Sequence, residues 1–227
     1  MIFDQYDRVR IINLPERTDR RAEMDVELAA LTVRDRSKVE YFPAIRPRDA
    51  GLFESVGAHG IFRSQLTVLH QALEAGESVL VLEDDCTFFP SIHSFERQPD
   101  TEIFYGGWGR ASMPEDLLNS DLHGAHFMGF AQQVLRSLVP FLQSILDPAT
   151  QFDPAIVRST FDPRVRPPID GAYIWFRRYN PQIRTEFMML AGQRASASDI
   201  AERKWFDRVP VVRNLANKAR RVKERLG

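Results

Sequence analysis

The stretch SVLVLEDDCTFF, Ser78 to Phe89, constrains the fold more than any other. Val79 to Leu82 are aliphatic without interruption, which suits a strand buried on both faces, as in a parallel sheet covered by helices. That strand runs straight into Glu83, Asp84 and Asp85. Three adjacent carboxylates repel one another, and at the end of a buried strand they cost stability unless a cation, a basic partner or water offsets the charge. Ligands of open α/β sheets bind beyond the carboxyl ends of the strands, where these acids fall. Their hard oxygens suit Mg²⁺ or Mn²⁺, ions commonly shared with substrate phosphates. A persisting pleat sends Glu83 and Asp85 to one side and Asp84 to the other. Asp85 is the first choice of direct ligand, with Asp84 or Glu83 assisting. The alternative is a solvated acidic turn that caps the next helix.

The flanking segments supply the rest of such a sheet. Arg8 to Pro15 reads as a short strand stopped by proline, and helical periodicity follows through Met24, Leu28 and Leu31. Lys38 to Ile45 reads as a second strand. A loop from Pro47 to Gly57 leads to a helical face of Ile61, Leu66, Leu69, His70 and Leu73, terminated by Gly76. With helices between strands and no hairpin signal, the first half predicts parallel α/β. Beyond the acids, Thr101 to Gly109 and Gly124 to Phe130 read as strands and Ala131 to Leu146 as an apolar helix. Asp147 to Pro168 is Pro-rich and reads as a long loop with one helical turn, of a length that often marks a functional lid. Ile169 to Arg178 reads as a helix, Gln182 to Leu190 as a strand and Ser196 to Asp207 as a helix capped by Ser196 or Ser198.

Composition sets further bounds. With 227 residues and 44% hydrophobic content, the chain can build a sizeable single core. Its 30 basic and 31 acidic residues give no overall field that would attract nucleic acid. Cys86 is the sole cysteine, which excludes an intrachain disulfide and suits a reducing compartment. The opening stretch reaches Asp4, Asp7 and Arg8 too soon for a signal-peptide core, and no run approaches the ~20 apolar residues of a membrane span, so a cytoplasmic location is expected. From Arg208 to Gly227, seven basic residues face one acidic residue, Glu224, while Val211, Val212, Leu215, Ala219, Val222 and Leu226 recur at helical spacing. The expected organisation is a domain over 1–207 followed by a basic amphipathic helix over 208–227. That helix docks on the core through a thin apolar stripe or lies at an anionic inner membrane face.

In order and spacing, IINLPERTDRR, GAHGIFRSQLTVLHQAL, VLVLEDD and RPPIDGAYIW resemble the motifs of glycosyltransferase family 25, the lipooligosaccharide galactosyltransferase type. The likeness is good as far as the acid motif and looser beyond it. It implies a GT-A-like (Rossmann-like) fold: a mixed, mostly parallel sheet flanked by helices in a single domain. It also implies a UDP-sugar donor, most plausibly of galactose or a related hexose, a Mn²⁺ or Mg²⁺ cofactor, and a cell-envelope glycan or lipid-linked glycan as acceptor. The chain departs from the family where Gln65 follows Ser64 in place of histidine, so any part of that imidazole is absent or falls to Gln65, His59 or His70. GQRASASDI, Gly192 to Ile200, is similar to an ending of many bacterial sugar transferases.

A nucleotide-sugar transferase needs a cation for the diphosphate, a cleft for base and ribose, and a carboxylate to take the acceptor's proton. On that reading the first βα loop, Asn13 and Leu14 through Arg17, Arg20 and Arg21, meets the nucleotide, and Ser64, Glu83, Asp84 and Gln193 complete the donor side. Asp170 is the candidate base, with a plain helix cap as the alternative. Trp108, framed by Gly106, Gly107 and Gly109, is a candidate wall for a sugar ring, and Arg194, Ser198 and Asp199 are candidates for phosphate or acceptor. Trp175, Trp205 and His126 read as interior residues. Acidic neighbours disfavour a thiolate at Cys86 and argue against a nucleophile there. Two other readings stay open. One is a haloacid-dehalogenase-type phosphatase, whose Asp-x-Asp-x-Thr spacing is matched by Glu83, Asp85 and Thr87 with glutamate in the nucleophile's place. The other is a nucleotide-sugar-binding module that has lost activity.

Overall fold

The computed structural model describes residues 1–157 and 164–194. Strand β1 (Arg8–Asn13), helix α1 (Thr18–Ala29), strand β2 (Val39–Pro43), helix α2 (Val56–Ala75) and strand β3 (Val79–Glu83) follow one another. Both β2 and β3 pair in parallel with β1, one on each side, as the alternation of strand and helix predicts. Helix α2 begins ahead of its apolar stripe because the Ser55 hydroxyl caps it, accepting the Ala58 N–H at 3.0 Å, and it ends at Gly76.

Past the acids come β4 (Cys86–Phe88), β5 (Ile103–Gly107), β6 (Arg110–Ala111), β7 (Leu122–His123) and β8 (Phe127–Phe130). Helices α3 (Gln132–Leu146), α4 (Pro154–Val157) and α5 (Ile169–Tyr179) follow, then β9 (Thr185–Phe187) and β10 (Ala191–Gln193). The main sheet has the order β2-β1-β3-β8-β5-β9, in which β8 runs against its neighbours β3 and β5 while β9 lies parallel to β5. This mixed, mostly parallel sheet flanked by helices in one domain is the layout expected from the sequence. Two short antiparallel ribbons, β4 with β10 and β6 with β7, were not legible, because strands of two or three residues are too short to show a period. One helical turn, α4, interrupts the Pro-rich passage, and Arg166 ties that passage down through its N–H to the Leu52 carbonyl at 2.8 Å and Nη2 to the Asp147 carbonyl at 2.7 Å.

Strand β3 shows why its sequence is apolar throughout. Val79 and Val81 enter a core built with Phe62, Leu69, Met128, Phe130, Leu138 and Ile174, whereas Leu80 and Leu82 enter a second core with Phe3, Val9, Ile11, Met24 and Phe127. The four aliphatic side chains of β3 are fully buried, so helices α2, α3 and α5 cover one face and α1 with the N-terminal turn covers the other. Among the described residues, no helix is long and apolar enough to cross a membrane. The expected helices over 196–207 and 208–227, with Trp205, lie outside the described residues.

His126 joins the main sheet to the β4–β10 ribbon. Its ring is buried, with Nε2 3.0 Å from the Ala191 carbonyl, and its own carbonyl accepts the Glu83 N–H at 2.9 Å. The ring fits because position 107 is glycine: a Cβ there would stand 2.4 Å from Nε2. Burial holds the imidazole neutral and draws its pKa down to about 4, the Ala191 carbonyl opposing weakly. An unfolded chain protonates His126 near its ordinary value of ~6.5, so below that pH the unfolded state binds a proton the native state refuses. Stability should fall by up to about 3 kcal/mol between pH ~6.5 and ~4, and urea midpoints measured across that range check it. Gly107→Ala should cost about 2 kcal/mol or more at neutral pH by the same measurement, as overpacking does.

Candidate functional site

The ends of β1 and β3 meet at one buried carboxylate. Asn13 Nδ2 donates to Asp84 Oδ2 at 2.7 Å, and Arg20 Nη1, from the first turn of α1, donates to Asp84 Oδ1 at 2.9 Å. Asn13 and Asp84 are both buried. Both Asp84 oxygens are thereby committed to the protein. Asp84, expected as a candidate metal ligand, is also a tie between the end of β1, the start of α1 and the acid turn.

Glu83 and Asp85 converge on Gln193, although Asp84 and Asp85 form a turn, so the strand pleat expected to carry through the acids stops at Glu83. The Gln193 amide nitrogen lies 3.0 Å from Glu83 Oε2 and 3.4 Å from Asp85 Oδ1, bridging the two. The nearest guanidinium contact of Asp85 is Arg20 Nη1 at 3.9 Å. Burial, then repulsion from Asp85, Asp84 and Asp170, pushes the Glu83 pKa well above the usual carboxylate range. Burial raises Asp85 too, with Arg20 pulling it down and Asp84 adding to the rise. Cys86 donates its thiol to the His126 carbonyl at 3.0 Å, and burial with the Asp85 and Glu83 charges puts its pKa well above the ordinary thiol value, so it is no nucleophile.

Arg194 fixes the shape of the acid turn. Its backbone N–H donates to the Asp85 carbonyl at 2.8 Å, Nη2 to the Asp84 carbonyl at 2.6 Å and Nη1 to the Cys86 carbonyl at 2.6 Å, while Nε pairs with Glu23 at 3.2 Å. Its side chain is only 6% exposed, so the phosphate or acceptor role considered from sequence is corrected to a clamp on the backbone.

Beside the acids opens a cavity of about 370 Å³ between the β1–α1 loop, the segment after β2 and the start of α2. Leu14, Arg20, Ser64, Glu83, Asp84, Asp85 and Gln193, all singled out from sequence, line it together with Ile12, Ala44, Ile45, Arg46, Val56, Gly57, Gly60 and Ile61. Ser64 shapes the wall, since its hydroxyl accepts the Ile45 N–H at 2.8 Å and donates to the Gly60 carbonyl at 2.7 Å. Asn13 lies beneath the cavity, holding Asp84. Arg17 and Arg21 are not in the lining: Arg17 pairs with Asp19 at 2.9 Å, and Arg21 stacks over the Tyr41 ring at 4.4 Å. Ala44, Ile45 and Arg46 escaped the sequence reading although they follow a parallel strand, where the rule that pointed to the acids applies equally. The α2 residues Val56, Gly57 and Gly60 escaped because the helix starts earlier than its apolar stripe, and Ile61 was read only as part of that stripe.

The acceptor-side candidates are less convergent. Asp170 is half-buried in the first turn of α5, where Pro168 rather than Asp170 is the cap residue. Its Oδ2 accepts the Gly124 N–H at 2.6 Å and Oδ1 the Gly171 N–H at 3.0 Å; burial holds its pKa above the usual value against these donors. It does not line the cavity, yet its charge reaches Glu83. Trp108 packs edge-on against Phe187, ring centroids 6.3 Å apart, and is absent from the cavity lining. Ser198 and Asp199 lie outside the described residues. Gln65 is buried and accepts the Tyr173 hydroxyl at 2.7 Å, which makes the residue at the missing histidine a core contact. His59 stacks on Phe53 and His70 pairs with Glu74, both away from the cavity lining. Thr87 lies opposite Gly192 in the β4–β10 ribbon and is likewise absent from the lining, which removes the third element of the phosphatase pattern.

Among the described residues, no three His, Cys, Asp or Glu side chains converge on a point that could hold a metal ion. The donor set nonetheless fits a hard divalent cation of the Mg²⁺ type, which commonly takes one or two carboxylates and completes its shell with water and phosphate. Glu83 and Asp85 supply those carboxylates, and their mutual repulsion is the mark of charge that Arg20 alone does not offset.

No protein-family model matches the chain, and no curated protein matches it. Among solved structures, the chain is similar to a glycosyltransferase involved in the glycosylation of the major capsid of PBCV-1, at 13% identity and a TM-score of 0.48 over 83% of this chain and 94% of that one. It is also similar to the apo form of mouse xyloside xylosyltransferase 1, at 10% identity and a TM-score of 0.45 over 81% and 84% of the two chains.

Two substitutions separate the tie from the acids it presents. Asp84→Ala should lower stability by about 3 kcal/mol, because it strands Arg20 and Asn13. Glu83→Gln should do the opposite in alkaline solution: a raised native pKa means that wild-type stability is lost as pH climbs above the ordinary carboxylate range, and glutamine removes that loss. Thermal denaturation at pH 5 and pH 9 checks both, with the Glu83→Gln gain confined to the higher pH.

Proposed function

We propose that the protein is a GT-A-like glycosyltransferase that moves a hexose, galactose or a close relative, from a UDP-sugar to a cell-envelope glycan or lipid-linked glycan. The observation that carries the reading is the juxtaposition of a nucleotide-sized cavity with Glu83 and Asp85 at the carboxyl ends of parallel strands. The motif resemblance to glycosyltransferase family 25 supports the same assignment.

Each part of the cavity has a task on this reading. Ala44, Ile45, Val56 and Ile61 form an apolar wall for the base, and Arg20 and Arg46 bring positive charge to the diphosphate. Glu83 and Asp85 hold Mn²⁺ or Mg²⁺, which when bound neutralises the charge that develops on the departing diphosphate. Asp84, at the cavity wall, is held by Asn13 and Arg20 and so fixes the turn that carries the neighbouring carboxylates. Asp170 takes the acceptor hydroxyl's proton. Its raised pKa brings it closer to neutrality, where a base is most effective, and the Gly124 and Gly171 N–H groups hold it still. Attachment of the 208–227 segment to an anionic membrane face would bring the cavity to a lipid-linked acceptor.

Calorimetric titration of UDP with and without Mn²⁺ tests the donor site. Binding should require the ion and vanish in Asp85→Asn with the fold intact; undiminished binding in that variant rejects the cation assignment. Asp170→Asn should keep donor affinity and lose at least about a hundredfold in transfer rate, as removal of a general base does, and an unchanged rate rules it out.

A further inference from the structure

We propose that Gln193 is the third protein ligand of the cation site, its carboxamide turning about its terminal torsion so that Oε1 replaces Nε2 between Glu83 and Asp85. The inference rests on the cation reading above and extends it to an uncharged side chain.

The geometry is the basis. In an octahedral shell with metal–oxygen distances of about 2.0–2.1 Å, adjacent ligand atoms stand about 3 Å apart, the square root of two times the bond length. The Gln193 amide atom stands 3.0 Å from Glu83 Oε2 and 3.4 Å from Asp85 Oδ1, close to two edges of such a shell. With no cation between them, two carboxylates select the N–H face of an amide, and the amide hydrogen atoms hold the position that positive charge is needed in. A cation reverses the preference. Rotation about a terminal sp³–sp² torsion exchanges oxygen for nitrogen with little else moved, since that torsion is broad and roughly two-fold. Amide oxygens are ordinary ligands of hard cations.

The backbone under Gln193 is held for such a task. Gln193 lies opposite Cys86 in the β4–β10 ribbon, and the next residue, Arg194, donates its N–H to the Asp85 carbonyl at 2.8 Å and clamps the carbonyls of Asp84 and Cys86. Ligand and acid turn therefore form one rigid unit. The Gln193 side chain itself is exposed and lines the cavity, so an ion and the donor's phosphates can reach it.

Mn²⁺ binding in the presence of UDP, followed by the loss of the free-ion electron paramagnetic resonance signal, tests the assignment without reference to turnover. Gln193→Ala should weaken Mn²⁺ about tenfold, the low end of what loss of a supporting group costs a metal site, and Gln193→Glu should tighten it by adding charge to the same position. Melting temperatures taken without Mn²⁺ verify that the variants fold, as expected for an exposed side chain. If Asp85→Asn loses the ion while Gln193→Ala binds as wild type or more tightly, the amide is not a ligand and this inference alone falls. If the wild-type protein takes up no Mn²⁺ with UDP, the cation reading falls and takes the inference with it.

Discussion

The site depends on a carboxylate that the protein holds from two sides. Asp84 accepts from Asn13 at the end of β1 and from Arg20 at the start of α1, so a single buried group fixes two strand ends and a helix relative to one another. Asp84 and Asp85 form the turn that follows β3, and there Glu83 and Asp85 converge on the Gln193 amide while Asp84 is bound by Asn13 and Arg20. Burial and mutual repulsion raise the pKa of both Glu83 and Asp85, with Arg20 opposing the rise.

The two sides of the acid turn also divide stability from chemistry. Arg20, Asn13 and Arg194 are buried or nearly so and bond to Asp84 or to backbone carbonyls, the behaviour of groups that specify a conformation. Gln193, Arg46 and Val56 are exposed where they line the cavity, and Glu83 and Asp85 reach water only in part. Asp170 stands between these groups: it is tethered by backbone N–H donors like a structural residue, yet close enough to Glu83 for their charges to oppose each other.

Much of this was legible in the sequence. The aliphatic run of β3 revealed a strand covered on both faces, and the alternation of periodicities revealed parallel βαβ units, because both signals extend over many residues. The acids, Arg20 and Leu14 were found because ligands gather at the carboxyl ends of such strands. The β4–β10 ribbon was not legible: three residues carry no period, and the pairing joins segments more than a hundred residues apart, Arg194 to Cys86 and Asp84. With the ribbon hidden, Arg194 was weighed as a ligand for phosphate or acceptor when it is a clamp. The contact of Trp108 with Phe187 was not legible either: glycine neighbours permit a ring to approach a ligand and equally permit it to fold back onto the sheet.

The clamp made by Arg194 has a consequence for how the protein comes into being. The bonds that shape the acid turn come from a residue synthesised 108 or more positions after it, so translation of the sheet's first strands cannot finish the turn. The turn takes its final shape only once β10 has paired with β4, the same step that brings Leu190 and Ala191 into the second core.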